Sequence, residues 1–232
     1  MFENFRTFET TFAGTKIQFE TGKMAGLSSG SALVRYGETT VLVNVTMSQK
    51  PRDGIDFFPL SVDFEEKMYS VGKIPGSFMK RESRPSEKAV LASRMVDRPI
   101  RPLFPSNMRN DVTVVMTVLS SDQDHSPELA GMIGTSFALS ISDIPWNGPI
   151  AGVVVGYVDG EYVINPDEAQ RNKSKMHVTV VGTSNKICMI EAAADQIPED
   201  IMLEGIKLAH VEIKKMVAFI TDAQKEIGKT KF

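Results

Sequence analysis

The chain has 232 residues, 42% of them hydrophobic, and a formal net charge of −3 with an isoelectric point near 5.7. These values are typical of a folded protein with a substantial core, in one large domain or two small ones, and they exclude a generally basic nucleic-acid coat. The single cysteine, Cys188, excludes an internal disulfide. No apolar run approaches the ~20 residues of a membrane span, and the N-terminus shows no signal or transit peptide, so we expect a cytoplasmic protein without membrane contact.

The first 60 residues are typical of β-strands, because apolar and polar residues alternate and Val, Thr and aromatic residues are frequent. Gly37 marks a tight turn, so Ser31–Tyr36 and Thr39–Thr46 are predicted to form a hairpin. The segment FFPLSVDFEE predicts a further strand, with Pro59 near its start, where a missing N–H is tolerated. Tyr69–Pro85 contains several glycines and prolines and has no period, so it is predicted to be a loop.

A helix is predicted to begin after this loop. Ser86 suits an N-cap, and Glu87 lies near the positive end of the helix dipole. Arg98 and Arg101 each precede a proline, and residues before proline avoid helical backbone angles. We therefore expect this helix to end at about Asp97.

The next two predicted elements are a strand and a buried helix. DVTVVMTVLSS is apolar enough for a central strand. A helix capped by Ser126 follows, with Pro127 in its first turn. Gly131 and Gly134 on one face indicate close approach to another element. The predicted core stripe of this helix is Leu129, Met132, Ile133, Phe137 and Ile141.

Two hairpins and a long helix complete the predicted order. Asp159–Gly160 is a strong two-residue turn signal, and a second turn is expected near Ser184–Asn185. The last helix is predicted from Pro198 to about Ile227, with Gly228 as its stop. Strands followed by helices among hairpins indicate an α+β or α/β sandwich in one domain.

Few residues suit catalysis or metal binding. The histidines at 125, 177 and 210 are far apart and have no His or Cys at metal-ligand spacing. His210 is predicted to be a partly buried structural residue. Asp122 and Asp124 precede a helix, where acids usually serve the helix dipole, although a metal remains an alternative.

Two further features are assigned structural roles. The segment GLSSG at Gly26–Gly30 is glycine-rich, but it lacks the lysine of a phosphate-binding loop and leads into a strand, so a turn is predicted. Cys188 stands at an apolar strand position without a partner histidine, and it is predicted to be a core residue rather than a nucleophile.

Positive charge is concentrated in one segment. Between positions 80 and 101 there are seven Lys or Arg against three acids, a net charge of +4, so the rest of the chain sums to −7. Cations and flat or soft side chains on a loop are typical of single-stranded nucleic-acid binding, whereas solvated pairs with the acids would be worth only ~0–1 kcal/mol each. The candidate RNA-binding residues are Phe78, Met79, Lys80, Arg81 and Arg84 in the loop and Arg94, Arg98 and Arg101 beyond it.

The segment VDFEEKMYSVGKIPGSFMKRESRPSEKAVLASRMVDRPIRPLFP closely resembles the first RNase PH-like domain of the bacterial polynucleotide phosphorylases. The stretches ETGKMAGLSSGSALVRYGETTVLVNV and GMIGTSFALSISDIPWNGPIAGVVVG resemble it as well, and the likeness covers essentially the whole chain. It implies an RNase PH-like domain over residues 1–227, with residues 228–232 beginning a linker. It also implies a phosphorolytic exoribonuclease that uses inorganic phosphate as co-substrate on single-stranded RNA, acts as a homotrimer in its full-length form, and has possible degradosome partners.

The resemblance also assigns roles to residues. The family's metal-dependent active site lies in its second RNase PH-like domain, so Mg²⁺ or Mn²⁺ would bind outside this chain. SPELAG stands where the active domain has phosphate-binding serines, and Ala169 and Lys175 stand where it has metal-binding aspartates. A lysine would repel the cation, so no catalytic or metal-binding residue is expected here.

The RNA-gripping loop of the family carries over in part. Phe78, Arg81 and Arg84 match its aromatic and arginine positions. The positions that depart from its pattern are Met79, Lys80 and Ser83, which stand where an aromatic, an arginine and a glycine are common.

Three functions remain open. The first is a non-catalytic half of a phosphorolytic enzyme, which grips RNA and helps to form the ring. The second is a self-sufficient enzyme with a phosphate site near Arg98 and Arg101. The third is a purely structural ring-forming domain.

Overall fold

Two β-sheets and four α-helices build the described part of the fold. The computed structural model describes residues 2–77, 82 and 84–232. The strands of the first sheet are β1 (Arg6–Phe12), β2 (Thr15–Thr21), β3 (Gly30–Tyr36), β4 (Thr39–Pro51), β5 (Leu60–Glu66) and β6 (Asn110–Ser120), in the order β1-β2-β3-β4-β6-β5. Those of the second are β7 (Ala151–Val158), β8 (Glu161–Ile164), β9 (Met176–Gly182) and β10 (Ile187–Ala194), in the order β10-β9-β7-β8. β5 and β6 run parallel, and the other neighbouring strands are antiparallel.

The helices connect or cover these sheets. They are α1 (Glu87–Ile100), α2 (Pro127–Ile141), α3 (Glu168–Lys173) and α4 (Glu199–Ile227), with short 3₁₀ helices at Met68–Val71 and Arg101–Leu103. Within the described residues, no helix has the length and apolar character needed to cross a membrane. The predicted α+β sandwich is confirmed, as is the long final helix.

The predicted hairpins are confirmed. Tyr36 pairs with Thr39 across a turn in which Gly37 has φ 58°, and a Cβ there would overlap the His125 ring. Asp159 and Gly160 both have positive φ, as a two-residue hairpin turn between β7 and β8 requires. β9 and β10 form the other predicted hairpin.

Helix α2 lies between the two sheets. A Cβ on Gly134 would lie 2.6 Å from Val34 Cγ2 of the first sheet, and one on Gly152 of the second sheet would lie 2.6 Å from Met132 Sδ. The predicted close approach at Gly134 is therefore confirmed. The predicted core stripe of α2 contains too few residues, because every residue of α2 except Glu128 is buried.

Helix α1 is longer than predicted. It continues through Pro99 to Ile100 and passes directly into the 3₁₀ helix, so the expected end at Asp97 is wrong. Tertiary contacts outweigh the local proline effect here. Ile100 is fully buried and its carbonyl accepts a 3.1 Å hydrogen bond from Trp146 Nε1, while Arg101 grips Asp97 one turn back at 2.8 and 3.1 Å.

Cys188 is exposed, so its predicted place in the core is wrong. Met189 is buried, so the residue before it, Cys188, faces the other side of β10, and the strand register also shifts between Ile187 and Met189. Its Sγ lies 3.4 Å from the Val181 carbonyl, and partial burial raises the pKa of the thiol. Helix α3, with a capping box of Asp167 and Gln170, was not predicted.

Residues 228–232 lie along the C-terminal end of α2. The Lys229 and Phe232 N–H groups donate to Ile141 O and Asp143 O at 3.0 and 2.8 Å. The Lys231 ammonium donates to the carbonyls of residues 139, 140 and 142 at 2.7–3.0 Å. It thus caps carbonyls that have no partner inside the helix. Burial lowers the pKa of Lys231 to about 8, and the negative charge of Asp143 opposes that shift.

Candidate nucleic-acid interface

Four predicted contact residues, Phe78, Met79, Lys80 and Arg81, lie outside the described residues. The base of their loop is fixed on both sides. The Met68 N–H donates to the Glu82 carboxylate at 2.5 Å, and Glu82 has φ 59°. The Ser121 N–H, just after β6, donates to Ser70 O at 3.2 Å. These bonds tie the loop to the edge of the sheet where the parallel strands β5 and β6 end.

Exposed apolar side chains stand beside this loop. Tyr69, Val71 and Ile74 are 57%, 55% and 89% exposed, and Arg84 is exposed as well. Tyr69 was predicted only as part of a loop, and the signal that indicates it as a candidate is an aromatic residue near a run of cations.

The cations of α1 are not equivalent. Arg94 and Arg98 are exposed one turn apart, and Arg98 Nη1 lies 3.5 Å from Glu191 Oε2. Arg101 instead holds Asp97 with two nitrogens and donates to the Phe58 and Leu60 carbonyls at 3.2 Å. Arg101 thus serves the packing of α1 on β5, and its role in RNA binding stays a prediction.

Acids from distant segments neutralise part of the positive charge. Lys88 Nζ lies 3.4 Å from Glu66 and 3.2 Å from Glu128, and these carboxylates raise the pKa of Lys88 against the effect of burial. Neither Glu66 nor Glu128 lies within positions 80–101 of the sequence. The local excess of positive charge is therefore smaller in space than along the chain.

A cavity of about 510 Å³ lies between α1, the start of α2 and the second sheet. Leu91, Met95 and Tyr36 supply apolar wall, and His177 and Thr179 face it from β9. Burial and the nearby Arg171 both lower the pKa of His177. This favours the neutral imidazole.

Glu128 occupies the start of α2. Its carboxylate accepts a 2.6 Å hydrogen bond from Ser126 Oγ and pairs with Lys88. Burial would raise the pKa of Glu128, but Ser126, the backbone N–H of Glu128 and Lys88 together hold it below the ordinary value. A helix N-terminus attracts anions, and here the chain's own carboxylate takes that place. This is the position that the resemblance assigns to phosphate-binding serines in an active domain.

Asp122 and Asp124 support the backbone. Asp122 accepts N–H groups from Glu38, Asp124 and His125 at 2.7–2.9 Å, and its carboxylate also lies 2.9 Å from His125 Nδ1. Burial would raise the pKa of Asp122, but these bonds hold it below its usual range. Asp124 accepts the Glu168 N–H at 3.1 Å. In the described part of the chain, no three His, Cys, Asp or Glu side chains are grouped to hold a metal ion.

The remaining candidates have structural surroundings. His210 Nε2 lies 3.0 Å from Thr183 O, which confirms the predicted partly buried structural role. Ala169 lies in α3 and Lys175 immediately before β9. Neither side chain is a metal ligand.

Comparison with known families identifies the class of protein. Residues 14–145 match the model described as 3′ exoribonuclease family, domain 1, and residues 148–212 match domain 2 of the same family. The first match contains most of the six-stranded sheet with α1 and α2, and the second contains the four-stranded sheet and the first half of α4. The chain belongs to this RNase PH family of 3′ exoribonucleases.

Individual relatives narrow the assignment. The chain is 62% identical over 228 residues to a polyribonucleotide nucleotidyltransferase of Ruminiclostridium cellulolyticum, covering 98% of this chain and 32% of the relative. It is 59% identical over 231 residues to the enzyme of that name from Clostridioides difficile, covering 100% and 33%. The chain thus spans about a third of the length of these relatives. The fold also matches the crystal structure of rice (Oryza sativa) Rrp46 with a TM-score of 0.69 at 14% identity, over 97% and 96% of the two chains.

Proposed function

We propose that this chain is the first, non-catalytic RNase PH-like part of a phosphorolytic 3′-to-5′ exoribonuclease. It grips single-stranded RNA and helps to form a homotrimeric ring in the cytoplasm, and any degradosome partners bind the assembled protein. Inorganic phosphate and Mg²⁺ or Mn²⁺ act in a part of the full-length protein outside this chain. The observation that carries the proposal is the Glu128 carboxylate, held ionised at the start of α2.

RNA binding rests on the surface around the loop. Arg84, Arg94 and Arg98 are exposed on the stretch that leads from the loop along α1, and Tyr69 lies at the other end of the loop. Cations attract the phosphates of a single strand, and an exposed ring supports a base by stacking. A strand that crosses this surface would meet both kinds of contact.

The lack of catalysis rests on the charges of the cavity. Ser126 is the residue best placed to bind a phosphate at the start of α2. Its hydroxyl already donates a hydrogen bond to Glu128, so a phosphate there would be repelled by that carboxylate. The self-sufficient alternative needs a phosphate site near Arg98 and Arg101. Arg101 would first have to release Asp97 and two backbone carbonyls.

The structural alternative is favoured by one observation. Val90 and Leu91 are 43% and 67% exposed on α1, beside Arg94. Large exposed apolar patches mark contacts between proteins, and these two side chains would contribute to such a patch in a ring. Ring assembly and RNA binding are therefore proposed as joint functions, and the RNA experiment below separates them.

Salt-dependent RNA binding tests the grip. Each phosphate contact of a single strand adds ~0.7 to the slope of log affinity against log salt. Arg84→Ala and Arg94→Ala should each weaken binding of an unstructured oligoribonucleotide and flatten this slope by about that amount. Lys214→Ala is the matched control, since it removes one exposed charge on α4. If both arginine variants keep the wild-type slope, as Lys214→Ala should, the arginines serve assembly alone.

Phosphorolysis assays test the absence of catalysis. The chain incubated with RNA, inorganic phosphate and Mg²⁺ should release nucleoside diphosphates only at the background rate. The ionised Glu128 would repel the attacking phosphate. Among the described residues, no three His, Cys, Asp or Glu side chains lie close enough together to hold a metal ion. Chromatography of the products measures the release. Appreciable release that disappears in Arg98→Ala would establish the self-sufficient enzyme instead.

A further inference from the structure

The glycine-rich segment that the sequence assigned to a turn lines a second cavity. The segment joins β2 to β3, and the cavity has a volume of about 470 Å³ and opens to solvent. Its other sides are lined by Asn4, Arg6, Ile141, Ile227 and Lys229, of which the two cations are exposed. It lies at the C-terminal end of α2. The 15 residues of α2 make it about 22 Å long, so this cavity is well separated from the one beside Glu128.

The charges of this cavity are all positive. Arg6 and Lys229 are the charged groups in its wall, and among the described residues that line it none is an acid. The bonds of Arg6 within the described residues all use Nη1, which donates to the Glu3 and Phe5 carbonyls, so Nε and Nη2 remain for a ligand. A cavity with two cations in a chain of net charge −3 favours an anion.

The lysine that the glycine-rich segment lacks in sequence is supplied in space. Lys229, 200 residues away, places its Nζ 2.7 Å from Ser29 O. In other proteins a lysine beside a glycine-rich loop binds phosphate oxygens. Here the turn leads into β3 and not into a helix, so the side chains of Lys229 and Arg6 would be the donors. No lysine stands next to these glycines in the sequence and the segment leads into β3 rather than into a helix, so only a turn is predicted from the chain alone.

Close backbone contacts hold the wall in place. A Cβ on Gly22, where φ is 80°, would overlap the Asn4 carbonyl, and a Cβ on Gly30 would lie 2.5 Å from Ala138 O. The Ser28 and Ser31 hydroxyls donate to carbonyls of the same turn at 2.7 and 3.0 Å. Both glycines are therefore required by packing, and they fix the backbone of the cavity wall at its two ends.

The end of α2 does not repel an anion. The C-terminus of a helix carries partial negative charge, but the three carbonyls there receive the Lys231 ammonium. Ile141 and Ile227 present only apolar surface to the cavity. The field at the site is thus set by Arg6 and Lys229.

We propose that this cavity binds a phosphoryl group, carried either by inorganic phosphate or by a nucleoside diphosphate. The volume lies within the ~300–1,000 Å³ range of small-molecule sites, which leaves room for a nucleoside beside the phosphates. Arg6 and Lys229 would bind the phosphoryl oxygens through charge-assisted hydrogen bonds. Asn4 and the turn that contains Ser28 and Ser31 would contact the rest of the ligand.

Thermal unfolding and calorimetric titration test the proposal on the 232-residue chain. Inorganic phosphate and ADP are each added at an ionic strength held constant with sodium chloride. At least one of them should raise the melting temperature of the wild type, because a ligand of the folded state stabilises it. A larger shift with ADP identifies a nucleotide, and equal shifts identify the phosphate group alone.

Variants locate the binding. Arg6→Gln combined with Lys229→Gln should weaken binding by about tenfold or more, and Lys229→Gln alone provides a milder variant should the pair unfold. Lys16→Gln with Lys225→Gln, which removes two exposed lysines elsewhere, should bind as the wild type does. The proposal is overturned if neither ligand shifts the wild type, if the cavity variants bind normally, or if binding is lost in Arg84→Ala with Arg94→Ala instead.

Discussion

Gly134→Val should lower the free energy of unfolding by about 3 kcal/mol, at the upper end of the cost of overpacking a core. The added Cβ would lie 2.6 Å from Val34 Cγ2 and 2.8 Å from Val43 Cγ2. Both valines are fully buried on neighbouring strands, so neither side chain has free space to enter. The gain in helix propensity on replacing glycine is below ~1 kcal/mol and does not offset this cost. Chemical denaturation followed by circular dichroism measures the change.

Gly26→Val is the matched control for this substitution. A Cβ at Gly26 has no atom within 4 Å, and the backbone there does not have positive φ. Its stability should stay within about 0.5 kcal/mol of the wild type, as is usual for surface changes. Equal losses in the two variants would show that α2 does not fit between the sheets as closely as described.

Lys231→Met should cost about 2 kcal/mol of stability. The variant keeps much of the aliphatic stem but removes the ammonium that binds three carbonyls at the end of α2, and unsatisfied polar groups of this kind cost ~1–3 kcal/mol. Residues 228–232 lie at the surface, so water can replace part of these hydrogen bonds and limits the loss of stability. The same denaturation experiment measures it.

Lys225→Met provides the comparison for Lys231. Lys225 pairs with Asp222, and both side chains are more than 70% exposed. An exposed pair contributes ~0–1 kcal/mol, so this variant should unfold almost as the wild type does. If Lys231→Met is no less stable than Lys225→Met, the tail does not hold the end of α2.

Local signals in the sequence were sufficient for much of the fold. The turns at Gly37 and Asp159–Gly160 need positive φ, and the caps at Ser86 and Ser126 need a side-chain acceptor, so single residues identify them. The end of α1 was missed for the opposite reason. Pro99 is a local signal to stop, and the contacts that overrule it come from Trp146 and from the strand below.

The candidate site was harder to predict than the fold. The concentration of cations is visible along the chain, but Glu66, Glu128 and Glu191 approach it from other elements and no local pattern indicates them. Lys229 reaches the glycine-rich turn across 200 residues for the same reason. Charge balance is a property of the folded surface, and a window of sequence contains only part of it.

The parallel pairing of β5 with β6 determines how freely the segment proposed to bind RNA can change. Since the two strands run in the same direction, the chain must cross from the end of one to the start of the other, and α1 supplies the packed part of that crossing. Of the connecting residues, those that the structure describes, 72–77, 82, 84 and 85, are exposed and precede that packed part, and a longer connection adds little closure entropy. Changes of side chain or length at residues 72–77 should therefore cost little stability, so the proposed affinity for RNA can change here independently of the rest of the fold.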